Sequence, residues 1–442
     1  MTTTDCMPLG LVEIRGSPRQ SLQGLDWLNF FLAGILTGFG PFVALYLAGR
    51  DWTPVEIGFV LSVSGLTGLL IQVPSGVLLD VVRSKRTFVA IGVATIGCAA
   101  LIFTLRPSFT PVLMAEVLLG VTGGSVGPAV AAISLGLVGN DRLAERLGRN
   151  QRFAAIGGFA TAGVMGLLGH LFSSQAIFFV TAALTFPTLI ALGQVRAGDV
   201  RLVRARGAPG DYPPERHPRT ARGTLGTNDR LLVFASCIVL FQLANASVLP
   251  LVIEERSHAS SLLTSVLVST PQIVVAILAP WVGRSARSWG RRPLLLVGLG
   301  MLPIRAACFA LTDDPMLLAS VQMFDGISAA VIGVLTPLII ADITKGTGLF
   351  NRGQGFVGTF SGTGAALSTT LSGYLAQNFG GTAAFYFIMG VALTAVIVCW
   401  SFMSETKDTP QAEVPAGRNV SFSTIAPGAA RKTRPSVGLF PT

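Results

Sequence analysis

The chain has few residues able to do chemistry, and those few sit where a charge is costly. Glu116, Arg305 and Asp325 fall inside long apolar runs. An ionisable group at bilayer depth costs about 2.5–3.5 kcal/mol on insertion scales, so such groups carry a partner or a task. At 1.5 Å per helical residue, Asp325 lies about 15 Å from the outer end of its run, and Arg305 about 18 Å from the inner end of the preceding run. In a hydrocarbon core of about 30 Å both reach the midplane. An Arg305–Asp325 ion pair between consecutive helices is therefore predicted. Pairing keeps Asp325 charged, which argues against it as a free proton carrier. Glu116 lies about 8 Å from the outer end of its run, and two readings stand for it. Either it snorkels to the interface, or it is buried without a cation and carries a proton. Asn29, Asn245 and Gln272 are amides in apolar surroundings, and Gln322, Asp325 and Ser328 share one helix face by their three-residue spacing. An interhelical hydrogen bond is the ordinary alternative for each of them.

Other chemistries find no support. The five cysteines are scattered, four of them within apolar runs, and His170, His217 and His258 are isolated. No pair has metal-ligand or disulfide-framework spacing. The glycine-rich stretches lack the Gly-Lys-Ser/Thr of a phosphate loop. The expectation is a protein that is not an enzyme and that holds no cofactor and no metal.

The elements that position these residues follow from composition. Of 442 residues, 51% are hydrophobic and 12% charged, with a mean hydropathy of +0.64. Soluble domains carry about 25% charged residues. Membrane-length apolar segments bracket to 24–48, 55–79, 87–105, 111–138, 153–172, 175–195, 231–252, 261–282, 293–312, 315–340, 354–376 and 382–403. The first is too long for a signal-peptide core and no small-residue cleavage site follows it, so it reads as a retained helix. The predicted fold is an all-α membrane protein with twelve transmembrane helices in two pseudo-symmetric six-helix bundles. Its parts are an amino-terminal tail (1–23), a first bundle (24–195), a flexible linker rich in Arg, Pro and Gly (196–230), a second bundle (231–403) and a disordered tail (404–442). With the amino terminus cytoplasmic, 28 of the 32 Lys and Arg residues fall on the cytoplasmic side; the outer loops hold only Arg50, Arg106 and Arg256. This positive-inside bias predicts both termini in the cytoplasm, at a cell (inner) membrane. It accounts for the net charge of +10 through anionic lipid, with no nucleic-acid partner.

The bundles repeat. Gly76-Val-Leu-Leu-Asp80-Val-Val-Arg83-Ser-Lys85-Arg86 closes the second segment, and Gly283-Arg284-Ser-Ala-Arg287-Ser-Trp-Gly290-Arg291-Arg292 closes the eighth, 207 residues later. Glu116-Val-Leu-Leu-Gly120 in segment four stands opposite Gln322-Met-Phe-Asp325-Gly326 in segment ten, and each continues to a proline, Pro128 and Pro337. Gly40-Pro41 and Pro250 mark kinks at similar places in segments one and seven. Gly76 and Gly283 would let neighbouring helices pack closely.

Over residues 24–403 the chain resembles the major facilitator superfamily. That family's signature between helices two and three is Gly-x-Leu-x-Asp-Arg-x-Gly-Arg-Arg. The first copy keeps Gly76, Leu78, Asp80, Lys85 and Arg86 and departs at Val81, Arg83 and Ser84; the second keeps Gly283, Gly290, Arg291 and Arg292 and has Arg287 in place of the acid. The resemblance implies a cytoplasmic gate built on these residues, with Asp80 pairing to Arg149 or Arg152, and a carboxylate-dependent gate on the first copy alone. It also implies a central cavity between helices one, four, seven and ten, lined by Asn29, Glu116, Asn245, Gln322 and Asp325. Glu116 replaces a family arginine, and segment five lacks the Gly-Pro of the antiporter branch, which weakens a drug–proton antiporter reading. The implied function is secondary active transport of a small-molecule substrate by alternating access, coupled to protons or another ion, in a lipid bilayer, by a monomer. A passive uniporter of the same fold and a non-transporting sensor or scaffold are the alternatives.

Overall fold

The structure is a computed structural model and describes residues 19–37, 39, 41–50, 52–105, 107–208, 228–246, 248, 261–312 and 314–407. Gly40, Pro250, Arg106, Arg256, Cys6, His217 and His258 lie outside the described residues, as do the first 18 residues, most of the expected linker and most of the expected tail. The described chain is almost wholly helical. α1 (Arg19–Thr37) and α2 (Pro41–Ala48) share the first predicted segment, with the expected break between them. α3 (Pro54–Val81), α4 (Lys85–Leu105), α5 (Phe109–Leu171) and α6 (Ser174–Gln194) follow. A short 3₁₀ turn (Ala197–Asp199) and α7 (Leu202–Ala205) come next. The second half holds α8 (Asp229–Asn245), α9 (Ser261–Ser288), α10 (Arg291–Leu311), α11 (Pro315–Ile343), α12 (Phe350–Phe379) and α13 (Gly381–Phe402). Seven of these helices are long and apolar enough to cross a membrane. Their outer faces carry large bare side chains, such as Leu70, Phe186 and Trp400, which suits lipid and not water.

Local signals set several boundaries. Thr53 opens α3 with a capping box: its Oγ1 accepts from the Glu56 N–H at 3.3 Å and the Glu56 carboxylate accepts from the Thr53 N–H at 2.9 Å. Asp314 caps α11 just before Pro315. Two expectations need correction. Segments four and five were expected to flank a loop at 139–152, but those residues are helical. α5 runs 63 residues and is interrupted only at Gly139, whose φ of 69° breaks the helix there. The linker was expected to be flexible from residue 196, yet residues 196–208 are built into the fold, with Val200 and Ala205 inside an apolar core.

Within the first half, α1, α3 and α4 pack on α5, and α6 packs on α1 and α4. In the second half α11 packs on α9 and α10, and α13 on α8, α10 and α12. Between the halves α3 packs on α12, and α5 packs on α9 and also on α11 and α12.

The second Gly-to-basic stretch owes its form to an acid from beyond α13. Gly290 has φ 93°, and a Cβ there would fall 2.4 Å from the Glu405 carboxylate. That carboxylate accepts from the backbone N–H groups of Arg291 at 2.8 Å and Arg292 at 3.1 Å, capping α10 with a negative charge. Burial alone would raise the Glu405 pKa; bonds from the N–H groups of Arg291, Lys407, Arg292 and Thr406 outweigh it and hold the carboxyl below its ordinary value. A depressed carboxyl adds stability above the unfolded-state pKa and loses it as pH falls through the folded-state value. Glu405→Gln should therefore lower the melting temperature in detergent near neutral pH, and the deficit should shrink as the pH drops below the ordinary carboxylate range. A deficit independent of pH would remove the charge from this account.

Candidate functional site

The seam between the halves is the first place where sequence-selected residues meet. At Gly76, a Cβ would lie 2.5 Å from the Asn351 carbonyl oxygen, and at Gly355 it would lie 2.4 Å from the Gln72 carbonyl oxygen. α3 and α12 therefore touch backbone to backbone. The other seam repeats this: a Cβ at Gly283 would lie 2.5 Å from the Ala144 carbonyl oxygen, and one at Gly148 would lie 2.5 Å from that of Ala279. Gly283, Gly355 and Ala279 each stand 207 residues after Gly76, Gly148 and Gln72, so the same offset relates both sides of both contacts.

Charged residues sit beside each crossing. The Asp80 carboxylate accepts from Asn351 Nδ2 at 2.8 Å, and Arg352 Nε lies 3.3 Å from its other oxygen. The expected partners are elsewhere: Arg149 binds Asp26, and Arg152 is exposed. At the second crossing Arg287 reaches Glu145 of α5 at 2.7 Å. The expectation of a carboxylate-dependent gate on the first copy alone is thus corrected. Position 287 corresponds to 80 and position 352 to 145, so the second latch has the polarity of the first reversed. Burial makes them unequal. The Asp80 side chain is 8% exposed, whereas Arg287 and Glu145 are 50% and 47% exposed. Exposed pairs contribute about 0–1 kcal/mol; a hydrogen bond to a buried charge contributes about 1.5–3 kcal/mol.

The remaining motif residues brace single bundles. Lys85 is buried and donates to the Val82 carbonyl at 3.1 Å, and Arg86 reaches the Gly193 carbonyl at the end of α6 at 3.4 Å. Arg291 pairs with Asp342 at 2.8 Å, and Arg292 donates to the Trp400 carbonyl. The first bundle has an equivalent brace that sequence reasoning missed. Asp26, 2% exposed, accepts from Arg146 at 2.5 Å and Arg149 at 2.6 Å. The signal was present: an acid three residues into an apolar segment, with no cation on its own helix turn.

At membrane depth the second bundle assembles three of the selected residues. Arg305, 2% exposed, donates to Asp325 at 2.5 Å and to the Asn245 side-chain oxygen at 2.5 Å. The expected ion pair is present, and Asn245 completes it from α8. Gln322, one turn away, is 2% exposed, and its Oε1 has no partner among the described residues. Ser328 donates to the Gly298 carbonyl at 2.7 Å. Asn29 bonds its own helix through the Leu25 carbonyl at 2.7 Å. Gln272 is half-buried on α9, apart from the cluster and without a hydrogen bond among the described residues. Glu116 does not snorkel: it is 3% exposed, with Oε1 unpartnered among the described residues. Its polar neighbour is Ser64 of α3. Ser64 also lines a depression of about 250 Å³ between α3, α5 and α12, walled by Gly68, Gly120, Gly124, Gln72 and Gly362.

Two family-length units with glycine crossings at one end match what comparison with known proteins finds. The Major Facilitator Superfamily model matches residues 26–246 and again 231–440. The chain belongs to the major facilitator superfamily. An uncharacterized MFS-type transporter of Mycobacterium tuberculosis (strain ATCC 25618 / H37Rv) is 35% identical over 400 residues, covering 89% of this chain and 95% of the relative. Multidrug resistance protein MdtG of Proteus mirabilis (strain HI4320) is 25% identical over 416 residues, covering 89% of this chain and 98% of its own length. Among solved structures, the major facilitator superfamily transporter FucP in its outward conformation superposes with a TM-score of 0.69 at 12% identity, covering 88% of this chain and all of its own. The human organic anion transporter MFSD10 (TETRAN) superposes at 0.65 with 13% identity, over 87% of this chain and all of its own. These two show the fold.

As a major facilitator superfamily transporter, the chain is an integral membrane protein, and glycine crossings beside the Asp80–Arg352 and Arg287–Glu145 pairs join its halves. Spin labels at Arg142 and Arg284, which flank the second crossing, should report the closed fraction. Asp80→Asn should lower the closed-to-open ratio about tenfold or more, and the reversed pair Asp80→Arg with Arg352→Asp should recover part of it. Arg287→Asn should change the ratio by less than about fivefold. Equal shifts from Asp80→Asn and Arg287→Asn would mean that burial does not rank the latches.

Proposed function

We propose that this chain is a secondary active transporter that exports a small amphipathic solute by alternating access and couples export to protons through Glu116. The observation that carries the reading is the seam. Two pseudo-symmetric contacts, each a glycine crossing beside an ion pair, close one end of the fold between the halves. A contact made of breakable ion pairs over backbone-close helices suits bundles that rock as rigid bodies, since each crossing has a closed and a parted arrangement. The bundles are 24–195 and 231–403, with twelve crossings and both termini cytoplasmic. The described parts of the predicted segments are mostly helical, and the basic residues gather after the even-numbered segments and in the linker and tails, which supports this reading. With that orientation the described state faces outward. A single chain suffices for the cycle, which fits a monomer, and a bacterial inner membrane is the setting the relatives suggest.

Glu116 and Asp325 divide the acid chemistry. Asp325 is neutralised by Arg305 and serves solute binding together with Asn245 and Gln322. Glu116 is buried with no cation against it among the described residues, a setting that suits a proton carrier. It takes a proton while enclosed and releases it when α3 and α5 are wetted. The likeness to multidrug resistance protein MdtG supports an amphipathic, drug-like cargo.

Proteoliposomes assayed with a panel of fluorescent organic cations and anions test the coupling. A probe that the wild type concentrates under an imposed pH gradient should only equilibrate with Glu116→Gln. Gradient-independent equilibration by the wild type itself would favour a passive uniporter. The binding cluster has a separate check. Arg305→Ala and Asp325→Ala should each impair folding or transport, because each strands a buried charge at a cost of about 3–5 kcal/mol. The double variant should recover part of the loss, and strictly additive losses would count against the pair.

A further inference from the structure

We propose that residues 196–208 form a strap that stays with the first bundle and locks the start of α12 whenever the seam is closed. The proposal rests on the rocking of the halves inferred above. Its evidence is the backbone of the strap, which neither the repeat nor the latches involve.

The strap is fastened to the first half along its length. The Arg196 N–H donates to Ser21 Oγ at 3.0 Å, and the same hydroxyl donates to Asp199 at 2.6 Å. The Arg201 N–H donates to the Gly136 carbonyl at 3.2 Å. Arg206 Nη2 donates to the Val81 carbonyl at the end of α3, also at 3.2 Å. Val200 and Ala205 enter the core with Leu137 and Val195, and Gly136 leaves them room, since a Cβ there would lie 2.8 Å from Val200. All of these partners lie in the first bundle, so none changes when the bundles part.

The far end of the strap is different. Three consecutive carbonyls point at the second half. Ala205 accepts from Asn351 Nδ2 at 3.3 Å. Arg206 accepts from the Phe350 N–H at 3.2 Å, and Gly207 from the Gly346 N–H at 2.7 Å. Phe350 opens α12, so its N–H is one of the four that a helix start leaves unpaired. Asn351 shares its amide between Ala205 and Asp80. The strap and the first latch thus act on the same residue, and parting the seam strips α12 of both. The alignment depends on Gly207, whose φ is 74°; a side chain there would be strained and would lie 3.3 Å from Phe350 Cβ.

The geometry supplies its own test. A Cβ built at Gly348 lies 3.8 Å from Ala208 Cβ, close to the mean of about 3.8 Å in disulfides. In a cysteine-less full chain, Ala208→Cys with Gly348→Cys should cross-link on mild oxidation, and cross-linking should slow when Asp80→Asn is added; because Gly348 has φ 72°, Gly348→Cys alone serves as the control and should leave the label distances unchanged. In separate samples spin-labelled at Arg142 and Arg284, Gly207→Val should move the distances toward the longer population. Gly198→Val should not, because a Cβ at Gly198 meets nothing within 4 Å. If Asp80→Asn lengthens the label distance while Gly207→Val leaves it unchanged, the strap is no lock. An unaltered cross-linking rate in the Asp80→Asn background would overturn it equally, and would do so even if Gly207→Val failed to fold. If no variant shifts the labels, the rocking of the halves fails first, and the strap proposal falls with it.

Discussion

The closed end depends on bare backbone. Where Gly76 meets Asn351 and where Gly283 meets Ala144, a single methyl group would overlap a carbonyl oxygen at 2.5 Å. Side chains on ordinary helices keep axes about 8–10 Å apart. Without them the helices approach until short polar side chains near the crossing can bridge the gap. Asp80 reaches Asn351 and Arg352 because Gly76 lies one turn before it; Arg287 reaches Glu145 because Gly283 does the same. Van der Waals contact and carbonyl proximity at such crossings are what holds helices together where lipid removes the hydrophobic drive between them. The polar contacts then decide how readily the crossing opens.

Much of this was legible because the repeat is written in residue types. Length, hydropathy and the placement of Lys and Arg place the membrane segments, and the glycines at 76 and 283 mark the crossings. What escaped was the partner of each charge at the seam. Arg149, Arg152 and Arg352 are all basic residues following an apolar segment, and nothing local distinguishes them. The offset does. Carried past the signature, it sets Glu145 against Arg352 and Gly148 against Gly355, and a reversed latch follows from placing those beside Asp80 and Arg287. Asp26 escaped for another reason: a lone acid at a segment's edge reads as a boundary marker until tertiary packing brings Arg146 onto it. The strap was hidden by composition. Arg, Pro and Gly mark residues 196–230 as a linker, while its first part is held by backbone carbonyls, which leave no trace in residue type. The helical course of residues 140–152, beyond the break at Gly139, was hidden in the same way, since tertiary contact overrides the polarity of that stretch.

Charge placement in the two bundles follows one logic with different partners. Arg305 is enclosed and would be intolerable alone, so Asp325 and Asn245 accept its hydrogen bonds. Arg146 is enclosed likewise, and Asp26, Asn150 and the Leu22 carbonyl accept its hydrogen bonds. One pair lies near the closed end and joins α1 to α5; the other lies at depth and joins α8, α10 and α11. Glu116 breaks the pattern as a buried acid with no such partner among the described residues. Asp26, Asp80 and Asp325 each face an arginine, and that contrast is the strongest reason to look for proton chemistry at Glu116.

The two latches also differ in how they sit on their own helices. Asp80 lies in the last turn of α3 and Arg352 in the first turn of α12. Each charge is therefore at the wrong end of its own helix, beside a partial charge of its own sign, and this costs about 0.3–1 kcal/mol per residue. Closing the seam corrects both at once, because Asp80 then faces the N–H end of α12 and Arg352 the carbonyl end of α3. Arg287, in the last turn of α9, is at the end that favours a cation whether the seam is closed or open, and Glu145 follows the Gly139 break by about one and a half turns. Opening costs that latch only an exposed ion pair. Reversal of polarity thus gives one geometry two electrostatic settings: the buried pair gains from the helix ends it faces across the seam, and the exposed pair does not.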